Sequence, residues 1–188
     1  MKYVIGLVGE KCGGKEIFVL LLKRILPNTS ISHHRFSDPL TETLNSWHLP
    51  RTRKNYQKLT PAMRSTYGRG VLANAIRHRV EDDPAIIVVL DGVRWWEDVE
   101  MLKTFPHHLI IYVTADMRTR YNRSRLRKEK AGEGKTSWKQ FQREEEAETE
   151  KDIPEIGKTA DILLENKGTI PEFEEKIKSV VEKILSQN

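Results

Sequence analysis

A strand-like apolar run, Tyr3-Val4-Ile5-Gly6-Leu7-Val8, opens directly onto Gly9-Glu10-Lys11-Cys12-Gly13-Gly14-Lys15, and a helical stretch follows from Ile17 to Leu26. This order of strand, glycine-rich loop and helix constrains the chain more than any other feature. Glycines let successive backbone N–H groups turn toward one point. The start of a helix adds partial positive charge there, and Lys15 adds a full one. The spacing is G-x-x-x-x-G-K, which suits the phosphates of a nucleotide. Gly9, Glu10, Lys11, Cys12, Gly13, Gly14, Lys15 and Glu16 are therefore the candidate cofactor-binding residues. The motif usually ends in Ser or Thr, whose hydroxyl holds Mg²⁺. Here Glu16 and Ile17 follow. Either the Glu16 carboxylate holds the metal, or other acids do, or the loop binds nucleotide and turns it over poorly. Cys12 reads as a small residue in a tight turn, with a regulatory thiol as the alternative.

Beyond the loop, short apolar runs alternate with longer amphipathic segments. Ser30–Phe36, Ala85–Leu90, Leu109–Val113 and Ile162–Leu164 have strand character, and Ala85–Leu90 is the continuously apolar kind that is buried on both faces. Helices are expected around Leu40–Trp47, Thr60–Val80 and Ser137–Glu150. A last helix is marked by Thr169-Ile170-Pro171-Glu172 and the stripe Phe173, Ile177, Val180, Val181, Ile184. Strands alternating with helices imply right-handed crossovers and a mostly parallel sheet, hence an α/β fold. With 188 residues, the chain suits one domain. No run of about 18 apolar residues exists to span a membrane. The start of the chain enters a strand rather than a signal-like segment, and the single cysteine fits a reducing compartment, so a cytoplasmic location is expected.

A net charge of +5 favours anionic partners, and the excess is local. Arg118, Arg120, Arg123, Arg125, Arg127, Lys128 and Lys130 form a basic arm. Glu144, Glu145, Glu146, Glu148, Glu150, Asp152 and Glu155 follow as an acidic one. The pair suggests a segment that closes on an anion and partly on itself, with two solvated helix faces as the plainer reading. On a helix, Arg120, Arg123 and Arg127 share a face suited to clamping a transferring phosphoryl group. RNA binding is the competing use of the same arginines.

The carboxyl ends of the strands supply the remaining candidates, because ligands of open α/β sheets collect there. Asp38, after the second strand, would orient an attacking hydroxyl or bind a sugar, or else cap the next helix. Asp91, at the end of the third, is the first choice for ordering Mg²⁺, and Arg94 would fork onto a phosphate. Of Trp95-Trp96, at least one should pack against the sheet. His33-His34 and His107-His108 are adjacent pairs on strands, so their side chains point to opposite faces and make poor shared metal sites.

Together, the loop at Gly9–Lys15, Phe36-Ser37-Asp38-Pro39-Leu40, Asp91-Gly92-Val93-Arg94, the arginine arm, Ala160-Asp161 and Asn166-Lys167-Gly168 resemble the P-loop nucleoside and nucleotide kinases. The resemblance is strongest to the branch with dephospho-coenzyme A kinases and deoxynucleoside monophosphate kinases. It covers nearly the whole chain. It implies a three-layer α/β/α domain with a five-stranded parallel sheet of order 2-3-1-4-5, an acceptor-binding helical region at about 38–80 and a lid at about 118–145. ATP and Mg²⁺ are the implied cofactors. Lys15 would hold the β- and γ-phosphates, and Asp38, Arg64, Arg69 and Arg94 would face the acceptor. Arg123 and Arg127 would act from the lid, and Asn166 and Gly168 would border the adenine. The expected activity is phosphoryl transfer to a small phosphorylated acceptor, such as a nucleoside monophosphate. The alternatives are a degenerate nucleotide-binding protein and an RNA-associated factor.

Overall fold

The computed structural model describes residues 2–126 and 136–186. Five strands, β1 (Tyr3–Val8), β2 (Ile31–Arg35), β3 (Ile87–Val93), β4 (His108–Thr114) and β5 (Ile162–Glu165), form one parallel sheet in the order β2-β3-β1-β4-β5. The crossovers carry α1 (Lys15–Ile25), α2 (Asp38–Ser46), α3 (Arg53–Tyr67), α4 (Val71–Asp82), α5 (Trp96–Lys103), α6 (Met117–Leu126), α7 (Trp138–Glu145), α8 (Ile153–Lys158) and α9 (Ile170–Ser186). Both the fold class and the strand order agree with the sequence expectation.

Alternation along each strand divides the core between the two faces of the sheet. Ile5, Leu7, Val89 and Ile111 meet Phe18 and Leu22 of α1 and Phe173, Ile177 and Val181 of α9. Val4, Val8, Val88, Leu90 and Ile110 face the other way, onto Ile76 and Val80 of α4, Leu102 of α5 and Ile156 of α8. Gly6 lets α5 approach, since a Cβ there would lie 2.3 Å from Leu102 Cδ1. Capping fixes the start of α9 as its sequence suggests: Thr169 N–H donates to Glu172 Oε2 at 2.6 Å, and Glu172 N–H returns to Thr169 Oγ1 at 3.4 Å.

Three sequence expectations shift. The single helix expected at Thr60–Val80 is two, α3 and α4, parted at Gly68-Arg69-Gly70, where Gly68 has φ +95°, a value no helix accommodates. The helix expected at Ser137–Glu150 ends at Glu145, and a 3-10 turn at Glu148–Glu150 follows. Trp95 packs not on the sheet but beside a separate cluster of Leu40, Leu44, Leu59 and Leu72 that joins α2, α3 and α4. Trp96 is exposed.

Candidate functional site

The glycine-rich loop leaves the middle of the sheet and is pinned at both ends. Gly14 has φ +117° and Cys12 has φ +62°, the left-handed turns that wrap the backbone around a small volume. A Cβ on Gly9 would stand 2.1 Å from the Val113 carbonyl oxygen, and one on Gly13 would stand 2.6 Å from it. Lys15 curls back over the loop. Its Nζ donates to Gly9 O at 2.7 Å and Glu10 O at 3.1 Å, and lies 3.9 Å from Asp91 Oδ1. The ammonium thus sits above the N-terminus of α1, where an anion gains most.

Glu10 points away from the loop's concave side. Its carboxylate accepts from Thr114 Oγ1 at 2.8 Å and from the Tyr112 hydroxyl, whose pKa is pushed up to about 12, first by burial and then by this acceptor. Glu10 is therefore an anchor of the loop on β4. Glu16 carries an ion pair with Arg35 at the end of β2. Lys11 lies 3.5 Å from Glu144 of α7.

On the far side of the loop, Asn166 Nδ2 donates to Gly13 O at 3.0 Å. Arg123 of α6 donates to Asn166 O at 2.9 Å and reaches the carbonyls of Cys12 and Gly13 at 3.4 Å. Arg123 and Asn166 are thereby brought together at the loop, with Gly168 two residues on, where a Cβ would lie 2.1 Å from Glu172 Oε2. Of the predicted arginine face, Arg120 is buried, donating to Ala115 O at 3.0 Å and pairing with Glu145. It is a structural clasp between α6 and α7 rather than a clamp for ligand. Arg127 lies outside the described residues.

The residues expected to face an acceptor converge less. Asp38 accepts from the Arg35 N–H at 2.7 Å, which closes the turn before α2. It is the first residue of that helix, whose N-cap is Ser37 with no side-chain cap bond, so the carboxylate braces the turn and does not cap the helix. Arg94 pairs with Glu150, from the acidic segment, and its backbone N–H donates to Asp98 Oδ2 at 3.0 Å. The basic and acidic arms do meet, through Arg120–Glu145, and the acidic one also reaches Lys11 and Arg94. Arg64 stacks 4.2 Å over the Trp95 ring, donates to Arg69 O at 2.9 Å and lies 3.4 Å from Glu97. Arg69 itself is exposed.

Asp91 is the buried acid of the site. It lies within β3 rather than beyond it, is 8% exposed, and its Oδ1 has no hydrogen-bond partner among the described residues. A buried, unpartnered carboxylate oxygen beside an anion cradle is a fitting ligand for a cation brought in with phosphates. No three His, Cys, Asp or Glu side chains cluster with metal-holding geometry among the described residues. Asp91 is thus the carboxylate beside the loop that is placed to meet such a cation, while Glu16, the other expected ligand, is paired with Arg35. Sequence reasoning overlooked His33, which reaches Asp91, and Glu150, which reaches Arg94. Neither is visible without the strand register or the fold of the acidic segment.

No family model matches the chain. Among solved structures, it superposes on a shikimate kinase from Bacteroides thetaiotaomicron with a TM-score of 0.63 and 12% identity, covering 96% of this chain and 98% of that one. A gluconokinase from Sinorhizobium meliloti gives a TM-score of 0.56 and 12% identity over 99% and 97% of the two chains. At such identities the likeness establishes the fold, that of the P-loop kinases. By sequence, the chain is 25% identical over 186 residues to a UPF0200 protein of Hyperthermus butylicus, covering 99% of this chain and 97% of that relative. It is 32% identical over 129 residues to a UPF0200 protein of Sulfurisphaera tokodaii, covering 65% of this chain and 67% of the relative. The chain belongs to the UPF0200 family, built on a P-loop kinase fold.

Proposed function

We propose that the protein is an ATP-dependent kinase that transfers the γ-phosphoryl group of ATP to a small phosphorylated acceptor, with a nucleoside monophosphate as the first candidate. The observation that carries this reading is the position of Lys15, over the N-terminus of α1 and 3.9 Å from the buried, unpartnered Oδ1 of Asp91. Lys15 and the loop N–H groups hold the β- and γ-phosphates, and Asn166 borders the adenine end of the cradle. Asp91 would hold Mg²⁺, which when bound would supply positive charge against the phosphates. Arg94, at the exit of β3, holds the acceptor's phosphate once Glu150 yields it. Arg64 and Arg69 add positive charge on the same side, which favours an acceptor that is itself anionic. Catalysis in such a site rests on positioning and charge stabilisation rather than on covalent chemistry.

One observation favours a second reading, nucleotide binding with little turnover. Where the motif usually offers a hydroxyl, Glu16 sits paired with Arg35. Calorimetry of ATP with and without Mg²⁺, followed by turnover with a panel of nucleoside monophosphates and small hydroxylated acids, separates the two. Mg²⁺-dependent binding that weakens at least tenfold in Lys15→Ala, together with phosphorylation of one acceptor class, is the expected result. Binding without turnover supports the second reading. Unchanged binding in Lys15→Ala removes the site assignment altogether.

A further inference from the structure

Two buried polar atoms at the floor of the site have no hydrogen-bond partner among the described residues: Oδ1 of Asp91 and Nε2 of His33. They come from neighbouring strands. In the β2–β3 register, His33 lies opposite Val89 and Arg35 opposite Asp91. His33 therefore shares a face with Asp91, the face on which Val89 packs with α1. His34, one residue on, turns to the other face and bonds Asp83 at 2.6 Å. His33 Nε2 lies 3.9 Å from Asp91 Oδ2, while Oδ1 of the same carboxylate lies 3.9 Å from Lys15 Nζ. One carboxylate oxygen thus looks at an imidazole and the other at the phosphate loop.

We propose that His33 is the positioning residue of the metal site. Its Nε2–H holds Oδ2 of Asp91, so that Oδ1 is presented to a Mg²⁺ ion carried by the nucleotide. This rests on the nucleotide-kinase reading above. The 3.9 Å gap is about 1 Å longer than an N–H···O bond, so a small rotation of either side chain closes it. A neutral imidazole has one N–H to give, and at Nε2 it faces the carboxylate. Carboxylates that bind metals are commonly held by such a partner, and losing it costs about 10–100-fold in metal affinity. The dependence is sharpened here because Glu16 stands where a metal-binding hydroxyl usually does, leaving Asp91 as the protein's hold on the ion.

The test uses the full chain as wild type, His33→Ala and His33→Gln, with Mn²⁺ as the probe ion and ADP as the nucleotide. Free Mn²⁺ is followed by electron paramagnetic resonance at saturating ADP, and ADP affinity without metal by calorimetry. In His33→Ala, Mn²⁺ affinity should fall by about tenfold or more while metal-free ADP affinity stays within about twofold of wild type. His33→Gln, whose amide N–H can reach the same oxygen, should recover most of the loss. Wild-type Mn²⁺ affinity in His33→Ala overturns the proposal. So does an equal loss of metal-free ADP affinity, or a glutamine variant as weak as the alanine one. If the wild type binds no ADP, or binds it indifferently to metal, the nucleotide reading falls and the proposal with it.

Discussion

Replacing Asp98 with asparagine should remove a pH dependence from the stability of the fold. Asp98 is 1% exposed on α5, and its Oδ2 accepts from the N–H groups of Arg94 (3.0 Å) and Trp95 (3.1 Å). Burial raises its pKa to about 7, against the two backbone bonds and Arg64, which lower it. In the unfolded chain the same proton leaves near pH 4, at about the ordinary value. Between those values the folded protein holds a proton that the unfolded one has lost. Stability therefore falls as pH rises from about 4 to about 7 and is level above that. A shift of about 3 units, at about 1.4 kcal/mol each, sets an upper bound of about 4 kcal/mol. An asparagine oxygen accepts the same two N–H bonds and never ionises. Any cost of fitting its NH₂ is independent of pH and cancels when the two proteins are compared at two pH values. Groups whose pKa is lowered in the fold, such as Glu42 and Asp83, are common to both proteins and cancel as well. Urea denaturation at pH 5 and pH 8 should show Asp98→Asn gaining on the wild type by about 2–3 kcal/mol, because the unfolded chain has already lost the proton by pH 5. An interval unchanged between the two proteins would refute the account of Asp98 as a carboxyl kept protonated by burial.

Two substitutions test how the glycine-rich loop and α6 are held. Gly14→Ala would place a methyl group 2.1 Å from Asn166 Nδ2 at a backbone with φ +117°. It should destabilise the protein by about 1–3 kcal/mol and weaken ATP binding at least tenfold, and wild-type calorimetry and melting would remove the argument. Arg120→Ala leaves Glu145 without its ion-pair partner at a place on α7 where burial already raises the Glu145 pKa. A loss of about 3–5 kcal/mol in chemical denaturation is expected, and a loss below about 1 kcal/mol would show the pair to be incidental.

What the sequence made legible was local. The glycine-rich loop announces itself because strand, turn and helix start are adjacent in the chain, and the strands of a parallel sheet are read from unbroken apolar runs such as Ile87–Leu90. Asp91 was found because strand ends bring acids to one edge. The ion pairs that assign the arginines were not legible. Arg94 meets Glu150 across 56 positions, and helical spacing placed Arg120 beside Arg123 on one face without saying that Arg120 turns inward to Glu145. His33 was set aside because adjacent histidines on a strand diverge. The divergence is real, but only the pairing of β2 with β3 shows that His33 shares a face with Asp91.

The small cluster of Leu40, Leu44, Leu59 and Leu72 separates two kinds of evolutionary freedom. Changes in α2 and α3 are judged mainly against those few side chains, whereas α4 also packs on the sheet through Ile76 and Val80. The cradle for the phosphates is judged against the packing beneath the whole sheet. On the proposed function, a lineage could therefore exchange one acceptor for another by altering a region with its own modest core, while the glycine-rich loop stays as it is. Diversity of substrate on a common scaffold is the outcome that such a partition permits.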